Sequence, residues 1–71
     1  MAAAWSEFAP IVEHVFSLTP EASRADFIDI CYANDVSDAV IDGFDALDGR
    51  HTFHSVEEAR EALRAVGALA P

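Results

Sequence analysis

Residues 34–49 read NDVSDAVIDGFDALDG, and the apolar residues of this stretch decide the fold class. They follow one another at intervals of four, four and three residues: Val36, Val40, Phe44 and Leu47. Such intervals place side chains on one face of an α-helix. We therefore predict an amphipathic helix that Asn34 or Asp35 caps at its start. The turn signal at residues 48–49, Asp-Gly, ends it.

Two further helices are predicted upstream of this stretch. The first begins at Pro10, because a proline in the first turn has no N–H that needs a partner. Residues 1–9 are then expected to form a frayed N-terminal arm. The second helix begins at residues 19–21, where a threonine cap precedes proline and an acid. Phe27 and Cys31 lie on its apolar face.

A fourth helix is predicted downstream, with a capping box formed by Ser55 and Glu58 at its start and Gly67 as its stop. Between the third and fourth helices we expect a short extended link with Phe53 in the core. The chain is thus predicted as an all-α, small four-helix domain over residues 10–67, followed by a C-terminal tail at 68–71. Helices two to four would form a trihelical core to which the N-terminal helix is added.

The charge of the chain is strongly negative. Its 71 residues include 13 Asp and Glu against 4 Lys and Arg, which gives a formal net charge of -9. Such a surface repels DNA, RNA and anionic lipid, and it attracts basic protein surfaces. We therefore expect a larger protein with a basic surface as partner, with no direct nucleic-acid binding and no membrane binding. Adaptation to a salt-rich host is the competing explanation of the acidity.

Within the third predicted helix, four aspartates follow at intervals of three, four and three residues: Asp35, Asp38, Asp42 and Asp45. This spacing places them along one side of a helix, and no Lys or Arg occurs between Arg24 and Arg50. Their separation along the helix axis is similar to that of nucleic-acid phosphates, so the row could occupy a groove built for phosphates. Ile41 lies among them, either as an apolar anchor of the binding face or as a lone surface apolar residue. An ordinary solvated helix face is the alternative.

A ridge of small residues follows the same helix: Ala39, Gly43 and Ala46. Glycine inside a helix costs about 1 kcal/mol relative to alanine, so close approach of another helix would explain Gly43. The ridge predicts a helix–helix contact, either within the chain or in a homodimer.

The sequence gives little support for catalysis or for a metal site. Cys31 is the single cysteine, which excludes an internal disulfide and favours a reducing, cytoplasmic location. Its place on an apolar helix face predicts an inert, buried thiol. The aspartates lack the spacing of a calcium loop, and His51 and His54 form one isolated pair rather than a set of zinc ligands. We expect no enzyme, no cofactor and no metal.

Four runs of residues together resemble a known pattern, at positions 19–28, 33–41, 47–50 and 53–58. Over residues 19–66 the chain is similar to the small bacterial domain-of-unknown-function family 2795. The turn before the extended link differs, because residues 48–49 are Asp-Gly where the family usually has Pro-Asp. The resemblance implies a compact helical fold and carries no catalytic residues to this chain.

Three functions follow from these observations. The leading one is a non-catalytic acidic interaction module, an inhibitor or regulator that docks on a nucleic-acid-binding surface, as a phage-encoded nuclease inhibitor does. The second is a structural or self-assembling helical domain of a bacterial cytosolic protein. The third is a helix-turn-helix-like DNA-binding regulator that uses Arg60 and Arg64 of the last helix.

Overall fold

The computed structural model describes residues 2–71 and confirms the predicted all-α class. Its four helices are α1 (Trp5–Leu18), α2 (Arg24–Asn34), α3 (Asp38–Asp45) and α4 (Val56–Ala65). Within residues 2–71 there is no strand, but two isolated β-bridges join Ala3 to Leu69 and Ala22 to Phe53. None of these four helices has the length and apolar character needed to cross a bilayer.

The helices α1 and α2 share the middle of the packing, since α1 contacts α2 and α4 while α2 contacts α1 and α3. This arrangement differs from the expectation that helices two to four form the core and the first helix is an addition. The reason is the apolar stripe of α1, in which Phe8, Ile11, Val12 and Val15 are all buried. Such a stripe must be covered by other elements, so α1 is part of the core and not a peripheral addition.

Four phenylalanine rings from different parts of the chain meet in the core. Phe27 stacks on Phe44 with 5.0 Å between ring centroids and lies 5.9 Å from Phe53. Phe8 meets Phe44 edge-on at 5.2 Å. Phe53 is only 2% exposed, which confirms its predicted burial. Aromatic pairs of these kinds add about 0.5–1.5 kcal/mol beyond the area that they bury.

The predicted N-terminal arm at residues 1–9 and tail at 68–71 are wrong for the described residues; Met1 lies outside them. The helix α1 begins at Trp5 and contains Pro10 in its interior. Ala3 donates its N–H to the Ala68 carbonyl at 3.1 Å, and its own carbonyl accepts from the Ala70 N–H at 2.9 Å. The carbonyl that Pro10 leaves without a donor belongs to Ser6, which is exposed to water.

The start of α2 also differs from the prediction, which placed it at residues 19–21. Thr19 instead ends α1 in an extended conformation, and Ala22 exchanges two backbone hydrogen bonds with Phe53, at 2.9 and 2.7 Å. The N-cap is Ser23, whose N–H donates to the Asp26 carboxylate at 2.9 Å. Pairing with the distant Phe53 therefore outweighs the local helix-start signal.

Both ends of α4 form the capping structures that the sequence predicts. Ser55 Oγ accepts a hydrogen bond from the Glu58 N–H at 3.1 Å, which confirms the predicted cap. Gly67 has φ of 75°, a left-handed conformation that glycine adopts without strain. The Ala68 N–H then donates to the Leu63 carbonyl at 3.0 Å, as in a Schellman motif.

Candidate partner-binding surface

Three of the four predicted aspartates lie on one side of α3. Asp38, Asp42 and Asp45 follow at intervals of four and three residues within the helix, and all three are exposed. With a rise of 1.5 Å per residue, neighbouring members are separated by about 6 and 4.5 Å along the axis. We call these three residues the acidic row.

The fourth aspartate, Asp35, lies outside this helix, which corrects the prediction that α3 contains it. Asp35 is the C-cap of α2, with φ of 52° and ψ of 50°, and the N-cap of α3 is Ser37. Aspartate tolerates the left-handed conformation better than most residues, so it ends one helix rather than opening the next. The carboxylate of Asp35 is exposed and precedes the acidic row in the sequence, but helical spacing does not fix its position relative to the row.

No member of the acidic row forms an ion pair with any group in residues 2–71. Arg24 reaches the end of α3 without pairing with a carboxylate of the row, because its Nη1 donates to the backbone carbonyls of Asp45 and Leu47, at 3.2 and 3.1 Å. A Cβ at Gly49 would lie 2.7 Å from Arg24 Nη2, so glycine leaves room for this guanidinium. The positive charge thus meets the C-terminal end of α3, where the helix dipole favours it.

The arginines of α4 are engaged elsewhere in the fold. The Arg60 guanidinium lies 5.2 Å above the Trp5 ring centre, and Arg64 Nη1 lies 3.1 Å from Glu61 Oε1. Glu57 and Glu61 are exposed on the same helix. These contacts give α4 a mixed surface, and they do not favour its use as a DNA-reading helix.

The small-residue ridge makes a contact inside the molecule. Gly43 is buried, and a Cβ at this position would lie 2.6 Å from Phe8 Cζ and 3.2 Å from Ala68 Cβ. Ala39 is half-buried, whereas Ala46 is exposed. The predicted helix–helix contact at Gly43 is thus with α1, and the ridge offers no continuous surface for a homodimer.

The predicted anchor Ile41 is half-buried and packs against the core cluster. The large apolar side chains that are most exposed among residues 2–71 are Leu18 at 70% and Tyr32 at 72%. Sequence reasoning did not identify either of them. For Tyr32 a signal was present, because it follows the buried Cys31 by one residue and a step of 100° turns it away from the core.

A second group of ionisable side chains connects the extended link to α4. His51 Nε2 lies 2.6 Å from Glu58 Oε2, and the His54 N–H donates to Glu58 Oε1 at 3.0 Å. The hydrogen bond from His51 and that from the His54 backbone lower the pKa of Glu58. Beside this pair lies a cavity of about 250 Å³, whose lining includes no Ser, Thr, Cys or Lys.

Neither metal-binding nor thiol chemistry is evident in the described part of the chain. No group of three or more His, Cys, Asp or Glu in residues 2–71 has an arrangement that could hold a metal ion. Cys31 is buried, and desolvation raises its pKa to about 11. Its thiol therefore stays protonated at neutral pH, and a protonated thiol is a poor nucleophile.

Comparison with known protein families, curated proteins and solved structures finds no match to this chain. The resemblance to the domain-of-unknown-function family 2795 stays a prediction.

Proposed function

We propose that this chain is a non-catalytic interaction module that uses the acidic row of α3 to dock on a basic surface of a larger protein. The surface would be one that otherwise holds a nucleic acid, so the module would act as an inhibitor or regulator. The observation that supports this proposal most directly is that Asp38, Asp42 and Asp45 are exposed on one side of a helix while no arginine forms an ion pair with them.

Electrostatics supports this choice of partner. The net charge of -9 attracts a basic surface over a distance of about one Debye length, roughly 8–10 Å at physiological salt. The spacing within the row is on the order of the spacing of phosphates along a nucleic-acid strand. A site lined with Lys and Arg for phosphates would therefore find three carboxylates at comparable positions, and Asp35 offers a fourth nearby.

Rigidity supports it as well. The opposite side of α3 contains the buried Val40, Gly43 and Phe44, and Arg24 holds the C-terminal end of the helix. The carboxylates are consequently presented by a backbone that is fixed before binding, which lowers the entropy cost of association. Cys31 as the single, buried cysteine is compatible with the cytoplasmic location that we propose.

The test is affinity capture from the native host with two baits of equal charge. One bait is Asp38→Asn/Asp42→Asn/Asp45→Asn, and its control is Glu13→Gln/Glu57→Gln/Glu61→Gln, which removes three exposed carboxylates outside α3. We expect the wild type and the control to retain a basic protein that the α3 variant loses. An excess of double-stranded DNA should release that protein, because both ligands would occupy one surface.

Circular dichroism of both variants checks that the fold is intact. Equal retention by the two baits would refute the role of the acidic row. Retention that added DNA does not disturb would refute the nucleic-acid-binding surface as the target.

A further inference from the structure

An open apolar groove lies between α1 and α2, and no residue of α3 lines it. It consists of two adjoining depressions of about 290 and 330 Å³, which share Ile30 as a common wall. We call it the α1–α2 groove. Its apolar lining includes Ile11, Val15 and Leu18 from α1. These volumes are near the lower limit for ligand pockets, about 300 Å³, and both depressions open to solvent, which suits the side chains of a docked segment.

Leu18 gives the groove an apolar edge that nothing within residues 2–71 covers. It is the last residue of α1, and 70% of it is exposed. A single exposed leucine is ordinary on a protein surface. This one lies beside the half-buried Ile30 in the same depression, so the exposed apolar area extends from α1 to α2, while Val15, 3% exposed, forms the floor between them.

The border of the groove is acidic. Its lining includes the carboxylates of Glu7, Asp26 and Asp29, and it includes neither Lys nor Arg. One carboxylate oxygen of Asp26 accepts a hydrogen bond from the Ser23 N–H at 2.9 Å, and one of Glu7 accepts from the Ala4 N–H at 3.2 Å. His14 is the one lining residue that can become positively charged. An occupant must therefore bring positive charge of its own.

We propose that the α1–α2 groove binds a basic amphipathic segment of a partner protein. Apolar side chains of the segment fill the two depressions, while its Lys and Arg side chains approach Glu7, Asp26 and Asp29. A second copy of this chain does not fit, because its net charge of -9 would bring carboxylates against carboxylates. The inference stands apart from the acidic row, since the two surfaces have no residue in common.

The probe is a fluorescein-labelled 18-residue peptide with leucine at helical intervals of three and four and lysine at the other positions. Fluorescence anisotropy measures its affinity for the full chain. Leu18→Asp is the informative variant, because it makes the protein more acidic while it removes the apolar edge. Tyr32→Asp is its matched control, since Tyr32 is 72% exposed and lies outside the groove.

We expect Leu18→Asp to weaken binding about tenfold or more through the lost apolar contact. Tyr32→Asp should bind as tightly as the wild type or more tightly. Leu18→Asn repeats the test without a new charge at the C-terminal end of α1, and it should also weaken binding. The same peptide with glutamate in place of lysine should not bind.

Amide chemical shifts of the labelled protein locate the peptide. Changes concentrated in residues 7–18 and 26–36 support the groove. Changes concentrated in residues 38–45, equal affinities of the Leu18 and Tyr32 variants, or no binding at all would overturn it. The first of these negative results leaves the acidic row as the docking surface, so the two proposals fail separately.

Discussion

The replacement Gly43→Ala tests whether close approach of α1 explains a glycine in the interior of α3. In an exposed helix this substitution stabilises by about 1 kcal/mol, because alanine has the higher helix propensity. Here the new Cβ would lie 2.6 Å from Phe8 Cζ, 2.7 Å from Phe8 Cε1 and 3.2 Å from Ala68 Cβ. The propensity gain and the steric clash therefore have opposite signs.

The clash should be the larger effect. Phe8 is fully buried, and its ring meets Phe44 edge-on at 5.2 Å, so it has no open space to turn into. Adding one methyl group to a well-packed core costs about 1–3 kcal/mol. Because a Cβ 2.6 Å from a buried ring carbon is a severe overlap, we take the upper part of this range, about 2–3 kcal/mol; the propensity gain of about 1 kcal/mol then leaves a net destabilisation of about 1–2 kcal/mol. In a domain of this size, that lowers the melting temperature by about 5–15 °C.

Thermal and urea unfolding, followed by circular dichroism, measure this change. The variant Phe8→Leu supplies the control, because a smaller side chain opposite position 43 relieves the clash. The double variant should therefore lose less stability than the sum of the two single variants. If Gly43→Ala is as stable as the wild type or more stable, the steric explanation of Gly43 is wrong.

Three further predictions follow from other contacts. Gly67→Ala should lower the free energy of unfolding, measured in urea, by about 1–2 kcal/mol. The cost is backbone strain, because φ is 75° and no atom lies within 4 Å of the new Cβ, and Gly67→Asn should therefore cost less. Hydrogen bonds from His51 and from the His54 backbone lower the pKa of Glu58 from its ordinary value of 4.5, so its contribution to stability is complete above that pH and disappears as the pH falls through the folded-state value. The difference in unfolding free energy between wild type and Glu58→Gln should therefore shrink as the pH falls below about 4.5, and a constant difference would contradict these hydrogen bonds as its source. The Cys31 thiol should react with a disulfide reagent at pH 8 only as fast as the chain unfolds, because burial raises its pKa to about 11; rapid labelling of the native protein would show that the site opens.

The parts of the fold that the sequence predicts correctly depend on local chemistry. The Ser55 cap needs only the Glu58 N–H three residues later, and Gly67 needs only its own freedom to adopt a positive φ. The stripe of Val40 and Phe44 needs only helical spacing. Neighbouring residues determine each of these features, so a single sequence is sufficient to find them.

The incorrect parts depend on residues that are distant in the sequence. Pro10 is a good first residue for a helix, yet α1 begins five residues earlier, where Phe8 can reach the ring of Phe44. Residues 19–21 resemble a helix start, yet Ala22 pairs with Phe53, 31 positions further along the chain. No local pattern reveals such pairings, because they exist only once the helices have packed.

The candidate binding surfaces likewise include features that the sequence predicts and features that only the packing of the helices creates. Helical spacing places Asp38, Asp42 and Asp45 on one side of α3, but it cannot show where that helix begins. The helix begins at Asp38, after Asp35, so Asp35 is not part of the row. The α1–α2 groove was not predictable from either helix alone. Its lining combines Leu18 with Asp29 and Ile30, which become neighbours only through the packing of α2 on α1.

The acidic row also depends on contacts that its own side chains do not make. A helix of eight residues is too short to be stable alone, and carboxylates at these intervals repel one another by a few tenths of a kcal/mol per pair. Burial of Phe44 against Phe8 and Phe27 offsets this cost. Arg24 stabilises the C-terminal end of α3 through backbone carbonyls, so this cation supports the helix without forming an ion pair with the carboxylates of the row. Stability and negative charge are therefore separated on opposite sides of α3, and a partner can approach the charged side without disturbing the contacts that hold the helix.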